Sequence, residues 1–195
     1  MNTSPYIPVW DPILRIFHWG LAGAFATAYI VGDDVMDVHT LAGYAVLLLV
    51  LARIPWGFIG GTHARFRDFV RPPSEVMAHV RGLLREQPEY QEGHNPLAGW
   101  IYVLMFISFI GLSVSGMATL GAEESSGPLA GLMAGASHDT AEAMEELHKF
   151  LADFSLGLVV VHLIGVLLGS LTQKENLVRA MITGRKHTTD REGQS

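Results

Sequence analysis

Four long apolar runs constrain this chain more than any other feature. They are Ile13–Val31, interrupted by Arg15 and His18; Thr40–Ile59, with Arg53 near its end; Leu97–Leu120, without a charge; and Phe150–Leu171, with Asp153 and His162 inside it. Each is about 19 to 24 residues, the length a helix needs to cross a hydrocarbon core of about 30 Å. Soluble proteins bury an occasional helix of this kind, but here all four runs qualify. Only 16% of the 195 residues are charged and 49% are apolar, against roughly a quarter charged in an average soluble domain. That balance excludes a disordered chain and makes a water-facing surface hard to build. The expected fold is all-α: an integral membrane four-helix up-down bundle forming one domain over 1–195. Its helices are placed near 13–31, 40–59, 97–120 and 147–171. The first run is read as a membrane helix rather than a cleaved signal, because Phe17, His18 and Trp19 fit an apolar signal core poorly.

Charge placement then gives orientation. The connection 60–96 carries Arg65, Arg67, Arg71, Arg81 and Arg85, and the tail 172–195 carries Lys174, Arg179, Arg185, Lys186 and Arg191. The other two connections, 32–38 and 121–146, hold no Lys or Arg but nine acids, among them Asp33, Asp37, Glu123, Glu124 and Glu145. The positive-inside rule puts both termini in the cytoplasm, with 121–146 as an outer loop. Trp10, Trp56 and Trp100 fall near the cytoplasmic ends, where interfacial Trp is expected. The net charge of −6 argues against a nucleic-acid binder.

Few ionisable groups lie within the runs, so the histidines there stand out. Of nine, His63, His79, His94, His138 and His187 lie in connections or the tail and read as solvated. His18, His39, His148 and His162 lie in the helices or at their edges, and intramembrane ionisable residues mark functional sites by default. His18 and His162 both come out roughly 8 Å from the cytoplasmic side. His39 and His148 both open helices on the outer side. Two pairs at two depths result, His18 with His162 and His39 with His148, each bridging two helices. His148 and His162 are fourteen residues apart, close to four turns, so they share a face. Ala152, Ser155 and Val159 lie between them on that face. Gly43, one turn after His39, is also small; such residues leave room for a flat cofactor or allow close helix packing.

Two imidazoles at one level suit the axial positions of haem iron, and a porphyrin fits between the helices of a bundle. With no cysteine in the chain, such a haem is the non-covalent b type. Zinc competes only if Asp37, Glu145 or Asp153 joins a pair, since it takes three or four protein ligands. Arg15 and Arg53 are candidate partners for the propionates of an inner haem, or else interfacial anchors. Lys149 is the one cation available on the outer side.

The residues then show a resemblance. Val9-Trp10-Asp11-Pro12-Ile13-Leu14-Arg15-Ile16-Phe17-His18-Trp19 resembles the start of the bacterial cytochrome b561 proteins, a family that includes the b-type cytochrome subunits of nickel–iron hydrogenases. His39-Thr40-Leu41-Ala42-Gly43-Tyr44, Arg53-Ile54-Pro55-Trp56-Gly57, Gly93-His94-Asn95-Pro96 and Met181-Ile182-Thr183-Gly184-Arg185-Lys186 continue it in order along nearly the whole chain. The resemblance implies four membrane helices, two b haems and His18, His39, His148 and His162 as their ligands. It also implies electron transfer between a quinone pool and a periplasmic partner, such as a c-type cytochrome, a hydrogenase or another dehydrogenase.

Two rival readings stand beside that expectation. One is a stand-alone oxidoreductase acting on superoxide and quinone, and the other a haem-bearing membrane anchor for a periplasmic enzyme. The acidic outer connections would steer a basic partner or merely obey the charge rule. His94 would assist quinone or simply precede a helix capped by Asn95. No catalytic residue is assigned.

Overall fold

The computed structural model describes residues 6–61, 64–70, 72, 74–77, 96–172 and 175–187. The element order is β1 (Tyr6–Pro8), α1 (Pro12–Val31), a 3₁₀ turn (Gly32–Val35), α2 (Met36–Ile59), α3 (Phe66–Phe69), α4 (Pro96–Glu123), α5 (Ala130–Met133), α6 (His138–Thr172), α7 (Leu177–Thr183) and β2 (Arg185–His187). Three helical stretches are long and apolar enough to cross a membrane: Pro12–Ile59, Ala98–Glu123 and His138–Thr172. The first of these is two helices. Gly32 takes a left-handed φ of +47° and the chain reverses, so that Leu49 on α2 packs on Gly20 of α1.

Contacts divide the chain into two compact units. One comprises the residues up to His18, Pro55–Trp100 and those from Val161 onward; the other comprises Trp19–Ile54 and Ile101–Val160. The second unit is a four-helix bundle in itself. α1 and α2 run antiparallel, as the Gly20–Leu49 contact and the His39–Ala28 hydrogen bond require. α4 and α6 do the same through Gly111–Leu151 and Leu112–His148. Phe25 of α1 meets Phe109 of α4, ring centroids 5.1 Å apart. Val50, Phe109 and Ser155 are completely buried there, while Ile30, Leu41, Leu48 and Ile107 stay exposed. In water such exposed apolar residues would be a liability. In a bilayer, lipid covers such residues, and small and polar side chains such as Ser155 share the interior with Val50 and Phe109.

The first unit is tied together by polar contacts around the start of α1. Asp11 caps that helix, its carboxylate accepting from the Leu14 amide at 2.8 Å, with Pro12 in the first helical position. That order suits both residues: the cap satisfies a free amide, and proline has none to lose. The Trp56 indole donates to the other Asp11 oxygen at 3.4 Å. The Arg15 guanidinium donates to the Ile182 carbonyl at 2.6 Å. β1 pairs antiparallel with β2, Ile7 opposite Lys186. Lys186 is buried; burial holds its ammonium pKa below the usual lysine value, a shift that Glu175 only partly offsets.

Gly184 joins these pieces. It ends α7 with a φ of +78°, and its amide donates to the Ala180 carbonyl. Its carbonyl accepts from the Val9 and Trp10 amides. A Cβ there would stand 2.7 Å from the Trp10 carbonyl oxygen. Gly184→Ala therefore combines a left-handed penalty of roughly 1–2 kcal/mol with a backbone clash. The variant is expected to lower the thermal midpoint and to speed proteolysis of the C-terminal segment; an unchanged melting curve would remove the argument.

Two expectations differ from the structure, and one element was not foreseen. The segment 121–146 was expected to be a connection, yet α4 reaches Glu123 and α6 begins at His138. The reason is local: Ser137 accepts from the Thr140 amide as an N-cap, and Ala141-Glu142-Ala143-Met144-Glu145-Glu146-Leu147 is made of strong helix formers. The connection 32–38 is compressed into one 3₁₀ turn, so α2 starts at Met36 rather than near Thr40. The β1–β2 ladder, finally, carries no alternating pattern by which three-residue strands could be recognised. The readings placed on His63, His79, His94, Arg71, Arg81, Arg85, Lys174 and Arg191 lie outside the described residues.

Candidate functional site

The structure brings the intramembrane histidines together in two pairs. His39 and His148, both in the second unit, have ring centroids 5.9 Å apart with planes at 78°. His18 and His162, both in the first unit, are 6.3 Å apart at 59°. A metal ion bridging two imidazoles, with bonds of about 2.0–2.1 Å plus half a ring on either side, needs centroids roughly 6 Å apart. Both pairs have that spacing. Among the described residues no set of three His or carboxylate groups could hold a metal ion. Asp37, Glu145 and Asp153 thus do not complete a zinc site, and the donor set is two imidazoles, as haem iron accepts.

Backbone contacts orient the outer pair. His39 Nδ1 lies 3.0 Å from the Ala28 carbonyl oxygen, and His148 Nδ1 lies 3.0 Å from that of Leu112. A carbonyl only accepts, so each Nδ1 carries the hydrogen and each Nε2 keeps its lone pair. A metal-ligating histidine is held this way, its second nitrogen fixed by an outer partner. The Ser115 hydroxyl is also 3.2 Å from His148 Nδ1.

A cavity of about 580 Å³ opens at this pair, lined by His39, Gly43, Gly116 and His148 among others. That volume lies within the roughly 300–1,000 Å³ typical of cofactor sites. A Cβ on Gly43 would touch nothing within 4 Å, so the glycine leaves space open. Gly116 acts differently: a Cβ there would come within 2.7 Å of His148 Cε1. The ring of His148 occupies the space a side chain at 116 would need. Gly116 and Ser115 were missed in the sequence because a charge-free apolar run offers no reason to single out one small residue.

The cations are placed as follows. Arg15 is engaged with Ile182 in the first unit. Arg53 is buried on α2 in the second unit. Lys149 pairs with Glu145 one turn earlier on α6 and also lines the outer cavity.

Long apolar helices with facing histidine pairs and a cofactor-sized cavity define a class, the helical membrane proteins that carry a flat cofactor between helices. The profile of one such family, prokaryotic cytochrome b561, matches residues 9–184, and the chain belongs to that family. A b-type cytochrome family implies haem b. The chain is 26% identical over 138 aligned positions to a probable Ni/Fe-hydrogenase B-type cytochrome subunit of Bradyrhizobium diazoefficiens, covering 56% of each protein. It is 23% identical over 220 positions to the protein of that name from Rhizobium leguminosarum bv. viciae, covering 94% of this chain and 90% of the relative. It is 30% identical over 146 positions to that from Azotobacter chroococcum mcd 1, covering 60% of each. The first and third matches thus span less than two thirds of the relative's length. No solved structure matches the chain significantly.

Proposed function

We propose that the chain carries electrons across a bacterial inner membrane through two b haems, an outer one on His39 and His148 and an inner one on His18 and His162. Haem supplies a reversible one-electron carrier. The protein supplies the ligands, a cavity between helices, and the charges that set the potential. His39 and His148 face each other at 5.9 Å and keep a lone pair on Nε2 because the Ala28 and Leu112 carbonyls hold their other nitrogens, and this is the observation that carries the reading. Gly43 and Gly116 keep the cavity clear and the ring of His148 seated.

The endpoints are a quinone pool and a redox protein at the outer face. The names of the relatives favour a hydrogenase, and the acidic groups at 33–37 and 123–146 suit a basic docking surface. The arginines of the 60–96 segment and the tail support cytoplasmic termini. In a purified preparation, pyridine haemochrome analysis should give two b haems per chain, with a reduced-minus-oxidised spectrum of b type. A preparation from haem-sufficient cells with no haem would sink the proposal.

A further inference from the structure

Asp153 is a carboxylate inside the apolar part of α6. It lies five residues after His148, about 7.5 Å further along the axis. It is exposed on the side of the second unit and also lines the cavity that His39 and His148 face. The Tyr29 hydroxyl, from α1, donates to Asp153 Oδ1 at 3.1 Å and lines the same cavity. A carboxylate at membrane depth is costly and is retained where it does a task, with a partner to hold it. Neither residue belongs to a histidine pair, and the electron-transfer reading gives them nothing to do.

We propose that Asp153, held by Tyr29, is the proton acceptor of the outer centre, so that each electron arriving there is matched by a proton on its carboxylate. This rests on the outer pair holding a haem. The step balances: for each electron that a haem held by His39 and His148 would take from the redox partner, one proton from water would add to the Asp153 carboxylate, and the net charge of the cavity would be unchanged. The driving force is electrostatic. In a medium of low dielectric constant, two negative charges repel far more strongly than in water. Reduction therefore favours protonation of a neighbouring carboxylate, and protonation favours reduction to the same extent.

Other groups share the cavity and must be separated from Asp153. Asp33 comes from the 3₁₀ turn, Glu123 and Glu124 from the end of α4, and Tyr44 from α2. Glu145 is paired with Lys149 on α6. The acids among these lie in the polar segments between the apolar runs; Asp153 alone lies within one. Haem propionates would be rival proton acceptors.

The test is a potentiometric titration of the b-haem absorbance across a pH series, with dithionite and mediators, on the full-length haem-loaded protein. Wild type should resolve two components, one whose midpoint falls with rising pH by one proton per electron over part of the range. Asp153→Asn should flatten that component and leave the other in place. Tyr29→Phe, which keeps the carboxylate but removes its donor, should retain the slope and displace it along the pH axis. This second variant also serves if Asp153→Asn fails to load haem. If the slope persists unchanged in Asp153→Asn, propionates or the other acids take the proton and this inference is overturned. If instead wild type binds no haem, the electron-transfer reading itself has failed.

Discussion

Replacing His162 by alanine is expected to halve the haem content, from two b haems per chain to one. His162 faces His18 at a ring separation of 6.3 Å, and no third donor stands by among the described residues. The remaining imidazole would hold haem through one bond in place of two. The outer pair is untouched, because the Ala28 and Leu112 carbonyls that orient it belong to other helices. The potentiometric titration should therefore keep one of its two components. His162→Met adds a positive control: a thioether is a competent axial ligand and raises the potential relative to bis-histidine. It should restore the second haem with a more positive midpoint. Two haems per chain in His162→Ala would show that the inner ligand is another residue.

Gly116→Val is expected to remove the outer haem as completely as removing His148 itself. The first added carbon would lie 2.7 Å from His148 Cε1 and 3.1 Å from Nδ1, well inside van der Waals contact. The ring cannot retreat without giving up the Leu112 carbonyl and Ser115, the contacts that aim its Nε2. Haem quantification should fall to one per chain, with the surviving spectrum that of the inner centre. The double variant Gly116→Val/His148→Ala should lose nothing further, since the two changes act through one ligand and such effects do not add. Two haems with an unaltered spectrum in Gly116→Val would mean that His148 is not fixed where the structure places it.

Much of this protein can be read along the chain. Helix length, the charge-poor runs and the scarcity of ionisable groups at membrane depth single out His18, His39, His148 and His162. Arg15, Arg53 and Gly43 were readable only as candidates. A cation beside a membrane helix has the same sequence whether it meets a propionate, a lipid headgroup or, as Arg15 does, a backbone carbonyl. The early start of α6 was legible in principle, from Ser137 and the alanine- and glutamate-rich turn after it. The acidity of that segment suggested a solvent-exposed connection instead, and an exposed helix is acidic too.

The sequence by itself determined a membrane protein of four long helices, because hydrocarbon leaves a backbone of this length no structure other than the helix. It also left histidine as the leading candidate for a haem ligand, since the chain has no cysteine and four histidines lie in or beside the apolar runs. Tertiary structure alone decided which nitrogen of His39 and His148 is left with its lone pair, since that depends on carbonyls eleven and thirty-six residues away. It alone decided that Gly116 is the seat of His148, that Gly184 fastens the tail to the start of α1, and that Tyr29 reaches Asp153. Each of these is a contact between residues far apart in the chain, fixed by how helices pack against one another, and hydropathy carries no record of such contacts.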